Sequence, residues 1–195
     1  GNYMLYSFSG VDDVIFTPDM DQAYRLRHDV FVDEKRWETL RRPDHRDIDQ
    51  FEQPENHHFI LKINDRVIGY QRMLPTTLPH VLSHVAPQLC AISNAPAGPH
   101  IYEWTRHCVH PQYRKTAGVQ YGAMLTYALV KWGLKHAVEG VIVEYHPKWI
   151  RRFEALGFRV ERLGPEVLIH GETAVAVLMR FDNTTLETIR RLRSF

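Results

Sequence analysis

The chain has 195 residues, a length that favours one domain over two. Hydrophobic residues make up 44% and charged residues 24%, which excludes a disordered or fibrous chain. The 24 Lys and Arg residues balance the 23 Asp and Glu residues, so bulk electrostatic binding to nucleic acid or to an anionic membrane is not expected. With two cysteines, no secretory signal pattern and no apolar run near the roughly 20 residues of a membrane span, we expect a cytoplasmic protein without disulfides, folded as a single domain over residues 1–195.

Apolar residues recur in patterns that predict strands interleaved with helices. Strands are predicted at residues 3–8, 59–63, 67–74, 101–109 and 141–145, at Val160, and at residues 167–169 and 173–181. Helices are predicted from a cap at Thr17, over residues 121–136 and 147–156, and from a capping box at residues 184–187. This order predicts a mixed α/β sheet covered by helices.

One predicted helix face combines apolar residues with an arginine. Met20, Tyr24, Arg27 and Phe31 recur at spacings of four, three and four, so they share one face. An unpaired buried guanidinium is costly, so Arg27 at this position indicates a buried anionic partner. The alternative is that its apolar stem packs while the charged end reaches water.

Three further segments carry charges that are candidates for chemistry. Asp49 and Glu52, three residues apart, would suit a bound ammonium group, with a solvated acidic loop as the alternative. Arg72 lies in an apolar strand, where an edge position would be the harmless explanation. Glu103 and Arg106 would point to opposite faces of a regular strand, whereas a bulge between them would bring both to one face.

Two basic segments are candidate anion sites. Residues 109–118 precede the helix predicted from Tyr121, and basic side chains with backbone N–H groups at a helix start bind anions. Lys148, Arg151 and Arg152 form a second basic cluster, which a solvated helix face would also explain. The histidines have no third ligand in register, so no metal is expected.

Four sequence blocks together carry a family resemblance. They are Arg27-x3-Phe31-x5-Trp37, Asp49-Gln50-Phe51-Glu52, Arg72-Met73-Leu74-Pro75-Thr76-Thr77 and Glu103-Trp104-Thr105-Arg106. In order and spacing they resemble the acyl-homoserine-lactone synthase, or autoinducer synthase, family over about residues 24–157. The resemblance implies a GNAT-like acyltransferase fold with a mostly antiparallel central sheet. Residues 109–118 also resemble the pyrophosphate loop of that superfamily, with one extra residue between Arg114 and Gly118.

The resemblance implies two substrates and no cofactor. S-adenosylmethionine would be acylated on its amine by an acyl thioester, and its carboxylate would then close a lactone and release methylthioadenosine. Coenzyme A is the favoured acyl carrier and acyl carrier protein the second candidate. The implied catalytic residues are Glu103, Asp49 and Arg106, with the general base left open between Glu103 and Asp49. Arg27, Asp49, Arg72 and Glu103 are therefore expected to converge on one site.

The resemblance also implies three sets of binding residues. For S-adenosylmethionine they are Arg27, Phe31, Trp37, Asp49, Glu52, Arg72 and Arg106. For the acyl chain they are Ala86, Trp104, Thr105, Tyr145 and Phe153. For the acyl carrier they are Arg114, Lys115, Gly118, Lys148, Arg151 and Arg152.

The chain departs from the family pattern at four of these positions. The family usually has Asp where Glu52 stands, Ser where Thr105 stands and Phe where Ala86 stands, and the last change implies a roomier acyl pocket. Members that take 3-oxo chains often carry Thr near the position of Tyr145, so the phenol argues against a 3-oxo donor.

Two rival functions are distinguishable by their products. A plain GNAT acyltransferase would use acyl-CoA and an ordinary amine and would form no lactone. A non-catalytic binding domain on the same scaffold would release no methylthioadenosine.

Overall fold

The computed structural model describes residues 2–10, 16–91, 95–115 and 119–193. The chain forms two compact units, the first comprising Gly1–Met73 and Thr105–Thr126, and the second Leu74–Trp104 and Tyr127–Phe195. The single synthase domain over residues 1–195 stays a prediction. Within the described ranges, no helix has both the length and the apolar character to cross a membrane.

The first unit is built on antiparallel strands. Strand β1 (Tyr3–Ser9) pairs with β2 (His57–Ile63), which pairs with β3 (Arg66–Pro75), and β4 (Ile101–Val109) follows β3 in the sheet order. The turn between β2 and β3 carries Asn64 at a φ of 53°, a left-handed conformation that Asn tolerates well. The predicted hairpin is confirmed.

Helix α1 (Thr17–His28) starts through packing rather than through a side-chain cap. The residue before it is Phe16, whose ring stacks on Phe8 at 4.3 Å and whose side chain makes no capping hydrogen bond. The prediction that Thr17 is the cap is wrong, because Thr17 is already the first helical residue. The helix continues as a π-helical segment, Asp29–Glu34.

The buried face of this helix is the one that the sequence predicted. Met20, Arg27 and Phe31 are buried and Tyr24 is partly buried. The apolar members pack against strand residues such as Ile60 in one hydrophobic core.

The second unit contains both parallel and antiparallel strand pairs. The first residues of β4 pair in parallel with β5 (Gly140–Tyr145), so that Glu103 lies opposite Ile142. Strand β8 (Glu172–Arg180) pairs antiparallel with β5, with β6 (Arg159–Arg162) and with β7 (Val167–Ile169). The predicted α/β fold with a mixed, mostly antiparallel sheet and flanking helices is confirmed.

The helices of the second unit show where local patterns succeed and fail. Helix α2 (Val81–His84) is not predicted from the sequence. The sequence does predict α3 (Tyr121–Lys135), which begins in the first unit, and α4 (Trp149–Ala155). Helix α5 (Asn183–Arg193) is capped by Asp182, whose Oδ1 accepts the backbone N–H of Thr184 at 2.9 Å and of Thr185 at 3.2 Å. The predicted capping box is therefore wrong, because the acid just before the helix already satisfies those donors.

Candidate active site

Six charged side chains of the first unit form one ion-pair network. Its members are Arg27, Arg72, Arg106, Asp47, Asp49 and Glu52. Three positive charges meet three negative ones, so the network is neutral as a whole. Such balance is what allows this many charges to lie away from water.

Arg27 meets the anionic partners that its position on α1 predicted. Its Nε donates to Asp47 Oδ2 at 2.9 Å, and its Nη2 donates to Glu52 Oε1 at 2.9 Å. The side chain is completely buried, so the alternative in which its charged end reaches water is wrong.

Arg72 forms a two-pronged pair with Asp49. Its Nη1 donates to Oδ1 at 2.8 Å and its Nη2 donates to Oδ2 at 2.9 Å, the fork geometry that suits a guanidinium and a carboxylate. Nη1 also donates to Glu52, and Nε donates to Thr105 Oγ1 at 3.0 Å. Two acids of the segment before β2 and one hydroxyl of β4 thus hold this guanidinium of β3.

Arg106 has a strained backbone. Its φ is 57°, in the left-handed region, which costs of order 1–3 kcal/mol for a residue other than glycine. The irregularity predicted between Glu103 and Arg106 therefore occurs at Arg106 itself. Its Nε donates to Asp47 at 2.6 Å and its Nη2 to Asp49 at 3.1 Å.

An aromatic pair lies beside Arg106. The rings of Phe31 and Trp37 are 5.1 Å apart, and the Arg106 guanidinium lies 5.4 Å from the centre of the first and 5.8 Å from the centre of the second. These distances are typical of cation–π contacts. The pair therefore offers ring faces to a positive charge at the edge of the network.

The network keeps its acids ionised. Burial alone would raise the pKa of Asp47, but the charges of Arg27 and Arg106 outweigh it and lower the pKa below the ordinary 3.8. Burial opposes ionisation of Asp49 too, and hydrogen bonds and charge from Arg72 lower its pKa further still. Asp47 is a network member that the sequence analysis did not assign.

The network has a covered side and an accessible side. The side chains of Arg27 and Arg72 have no exposed surface and that of Asp47 has 1%, whereas Arg106, Asp49 and Glu52 retain 9%, 8% and 17%. Only the second group can meet a ligand from solvent without a rearrangement.

Glu103, the other charged residue expected at the site, belongs to the second unit. It is fully buried on β4, and its two carboxyl oxygens accept the backbone N–H groups of Val81 at 2.8 Å and Leu82 at 2.9 Å. The structure thus brings Arg27, Asp49 and Arg72 together and anchors Glu103 at the start of α2.

Three of the predicted acyl-binding residues form an aromatic cluster in the second unit. Phe153 stacks on Tyr145 at 5.7 Å and meets Trp104 edge-on at 5.7 Å. Ala86 lies in an apolar cluster of the same unit, whereas Thr105 belongs to the first unit and binds Arg72.

The predicted carrier-binding residues lie in both units. In the first, Arg114 makes two hydrogen bonds to Glu34, at 2.6 and 2.7 Å, and Lys115 is exposed. Gly118 lies outside the described residues.

In the second unit, Lys148, Arg151 and Arg152 are exposed on and beside α4. The guanidinium of Arg152 lies 4.7 Å from the centre of the Trp149 ring.

One group among the described residues brings three side chains of metal-ligand type together. Atoms of His28, Asp33 and His45 lie within 4.8 Å of one another. However, His28 Nε2 accepts the backbone N–H of Arg42 at 3.3 Å, so the ring proton belongs on Nδ1, the nitrogen nearest Asp33. Nδ1 then has no lone pair to offer, and two ligand atoms remain.

Comparison by sequence points to one family. Residues 14–189 match the family described as autoinducer synthase. An isovaleryl-homoserine lactone synthase from Bradyrhizobium diazoefficiens is 32% identical over 186 residues, which cover 95% of this chain and 84% of that protein. An acyl-homoserine-lactone synthase from Acinetobacter nosocomialis is 29% identical over 78% of this chain and 87% of its own length.

Comparison by structure agrees. A CoA-dependent acyl-homoserine lactone synthase, BjaI, solved with SAM and isopentyl-CoA, matches with a TM-score of 0.92 and 31% identity, over 99% of this chain and 90% of that one. An acyl-CoA N-acyltransferase from Pseudomonas aeruginosa matches with a TM-score of 0.65 at 12% identity, over 90% of this chain and 98% of that one, which shows likeness of fold alone.

Proposed function

The chain belongs to the autoinducer synthase family, and we propose that it makes an N-acyl-homoserine lactone from S-adenosylmethionine and an acyl-CoA. The observation that carries this proposal is the neutral ion-pair network, whose accessible side presents both signs of charge beside an aromatic pair. S-adenosylmethionine is itself a substrate with both signs: a carboxylate, an ammonium group and a sulfonium.

The accessible members of the network are the proposed ligands. Arg106 suits the substrate carboxylate, and Asp49 and Glu52 suit the ammonium group, because charge-assisted hydrogen bonds are the strongest available here. Arg27 and Arg72, which have no exposed surface, hold these carboxylates in place from beneath. The S-adenosylmethionine-binding residues implied by the family resemblance are thus divided into residues that contact the substrate and residues that support them.

The aromatic pair suits the cationic sulfur end of the substrate. A sulfonium above the face of Trp37 or Phe31 would gain the same attraction that Arg106 already finds there.

The first proposed step forms an amide. The substrate amine, with an ordinary pKa of about 8, must lose a proton before its nitrogen attacks the thioester carbonyl carbon. As the amide forms, the same nitrogen loses a second proton and the bond from carbon to sulfur breaks. Coenzyme A leaves as a thiolate that takes up one of the two protons, and the other goes to solvent. Asp49 is a poor proton acceptor because its pKa is held low, so Glu103 is the proposed base and Asp49 an orienting residue.

The second proposed step closes the ring. A carboxylate oxygen of the substrate attacks its own γ-carbon, the bond from that carbon to the sulfonium breaks, and methylthioadenosine leaves as a neutral sulfide. The leaving group is already activated, so the residues of the chain need only hold the reactive conformation. Neither step calls for a cofactor or a metal.

The aromatic cluster around Phe153 and the small side chain of Ala86 are the proposed acyl-binding residues. Together they suit a short branched or aryl chain, and the Tyr145 hydroxyl, which donates to Met179 Sδ at 3.3 Å, is already engaged. Coenzyme A is proposed over acyl carrier protein because the BjaI match is CoA-dependent. The proposed location is the cytoplasm.

A product assay tests the proposal. The purified chain is incubated with S-adenosylmethionine and a panel of straight, branched and aryl thioesters, each on coenzyme A and on acyl carrier protein. We expect one acyl-CoA class to give an acyl-homoserine lactone by mass, with methylthioadenosine in equal amount. Acylation of ordinary amines without methylthioadenosine would instead establish the plain acyltransferase.

A pair of variants tests the assigned roles. Glu103→Gln is expected to remove acylation while S-adenosylmethionine still binds, whereas Asp49→Asn is expected to weaken that binding. Full activity of the Glu103 variant would remove it from the role of base.

A further inference from the structure

A second carboxyl group touches Glu103. Glu144 lies on β5, two residues beyond Ile142, which is the partner of Glu103 in the parallel pairing of β4 and β5. Side chains at this spacing share a face of the sheet. The two carboxyl groups lie within hydrogen-bonding reach of each other, and among the described residues no N–H or O–H donates to the buried Oε2 atom of Glu144.

Two carboxyl groups can share a hydrogen bond only if one of them holds a proton. The oxygens of Glu103 already accept two backbone N–H groups. No backbone N–H of the described residues donates to Glu144, so Glu144 is the member of the pair that is free to hold the shared proton. Burial raises the pKa of Glu144 well above the ordinary 4.5, and the negative charge of Glu103 raises it further.

We infer that Glu144 is a positioning residue that stays protonated and donates its hydrogen bond to Glu103, so that Glu103 is held as an aimed, ionised base. This inference rests on the proposed function for its catalytic meaning. The proton of Glu144 does not leave during the reaction. The amine proton passes to Glu103, both acids are briefly neutral, and the proton then goes to the departing thiolate.

The surroundings of Glu144 allow a clean pH test. Glu103 on β4 is the charged group that acts on it, and the residue opposite on β8 is Ala176. Once the pH rises past the raised pKa of Glu144, this residue loses its proton, two like charges then face each other, and activity is expected to fall. A glutamine at this position keeps an N–H donor and has no proton to lose.

Three variants separate the possibilities. Glu144→Gln is expected to keep kcat within about 3-fold and to lose the alkaline fall that Glu144 causes. Glu144→Ala removes the donor, and kcat is expected to fall about 10- to 100-fold, the range for a hydrogen bond to a charged group. Glu139→Ala, an exposed acid just before β5, is the control and should match the wild type.

A readout that needs no activity completes the test. Infrared spectra of protein with isotope-labelled glutamate should show a protonated carboxyl band that Glu144→Gln lacks and Glu139→Ala keeps. Equal kcat and equal pH profiles in wild type and Glu144→Ala, or no such band, would overturn the inference. If the wild type makes no lactone from any donor, the proposed function fails, while the infrared band still decides the state of Glu144.

Discussion

The two units bury carboxylates by opposite means. In the first, three acids are paired with three guanidiniums at hydrogen-bond distance. In the second, Glu103 and Glu144 share a hydrogen bond with each other, and the remaining donors to Glu103 are two backbone N–H groups. The same residue type is stabilised by opposite charge in one place and by a shared proton in the other.

The difference decides what each group can do. Paired with arginines, Asp47 and Asp49 have lowered pKa values and stay charged at any ordinary pH, which suits the holding of a charged substrate. Glu144, facing another acid, has a raised pKa, so it holds its proton at pH values where an ordinary glutamate is ionised. Acids with lowered pKa values are suited to anchoring a charged substrate, whereas an acid with a raised pKa is suited to a site of proton transfer.

The largest effect is expected from removing one cation of the network. Arg72→Met leaves Asp49 and Glu52 buried with fewer partners, and breaking a buried pair typically costs about 3–5 kcal/mol of unfolding free energy. Urea unfolding of variant and wild type measures it. A loss under about 1 kcal/mol would show that charge pairing does not stabilise the first unit.

An exposed arginine provides the control for that variant. Arg25 pairs with Asp21 at 3.2 Å, with about half of each side chain exposed. Arg25→Met is therefore expected to cost only about 0–1 kcal/mol, because solvent screens such pairs.

Opposite pH dependence of the unfolding free energy in the two units is the next largest expected effect. The pKa values of Asp47 and Asp49 are lowered, so their stabilisation is present above the unfolded value of about 3.8 and is lost as the pH falls towards their folded values. The pKa of Glu144 is raised, so its contribution is complete below about 4.5 and is lost as the pH rises towards its folded value.

Unfolding free energies measured across pH check both signs. Asp47→Asn should reduce the loss on the acid side, and Glu144→Gln should reduce the loss on the alkaline side. A variant that altered the opposite side would contradict the comparison.

The sequence revealed the arginines better than the acids. A guanidinium inside an apolar pattern requires a partner, so Arg27 and Arg72 stood out. Asp47 closes a polar run in which one buried acid looks like its exposed neighbours. Glu144 gives the same signal as Arg72, a charge inside an apolar strand, but the pattern of residues 141–145 predicts only a buried strand.

Other features depended on distant residues. Helix α2 begins where Glu103, about twenty residues further along the chain, accepts its first N–H groups, and no local pattern near Val81 contains that information. The misplaced start at Thr17 has a similar cause, since the stacking of Phe16 on Phe8 sets where the helix begins. The strands were predictable because their apolar pattern is local.

A smaller effect is expected at the aromatic pair. Trp37→Leu removes one ring face and should raise the Kd for S-adenosylmethionine about 3- to 10-fold, as expected for a partly exposed cation–π contact. Trp37→Phe keeps a ring and should retain most of the affinity. Calorimetry without an acyl donor measures both, and a change in kcat at saturating substrate instead would move Trp37 from anchoring to chemistry.

The smallest effect is expected on helix α4. Arg151 and Arg152 are exposed, so replacing both with Ala should raise the KM for acyl-CoA about 2- to 5-fold at low salt, leave kcat unchanged and have no effect at high salt. Arg190 and Arg191 on α5 are equally exposed, and their double Ala variant is the control for net charge. If the α4 variant weakens the use of acyl carrier protein but not of acyl-CoA, the basic cluster binds the surface of the carrier protein. The choice of acyl carrier would then be independent of both groups of buried carboxylates, because neither group contains a residue of α4.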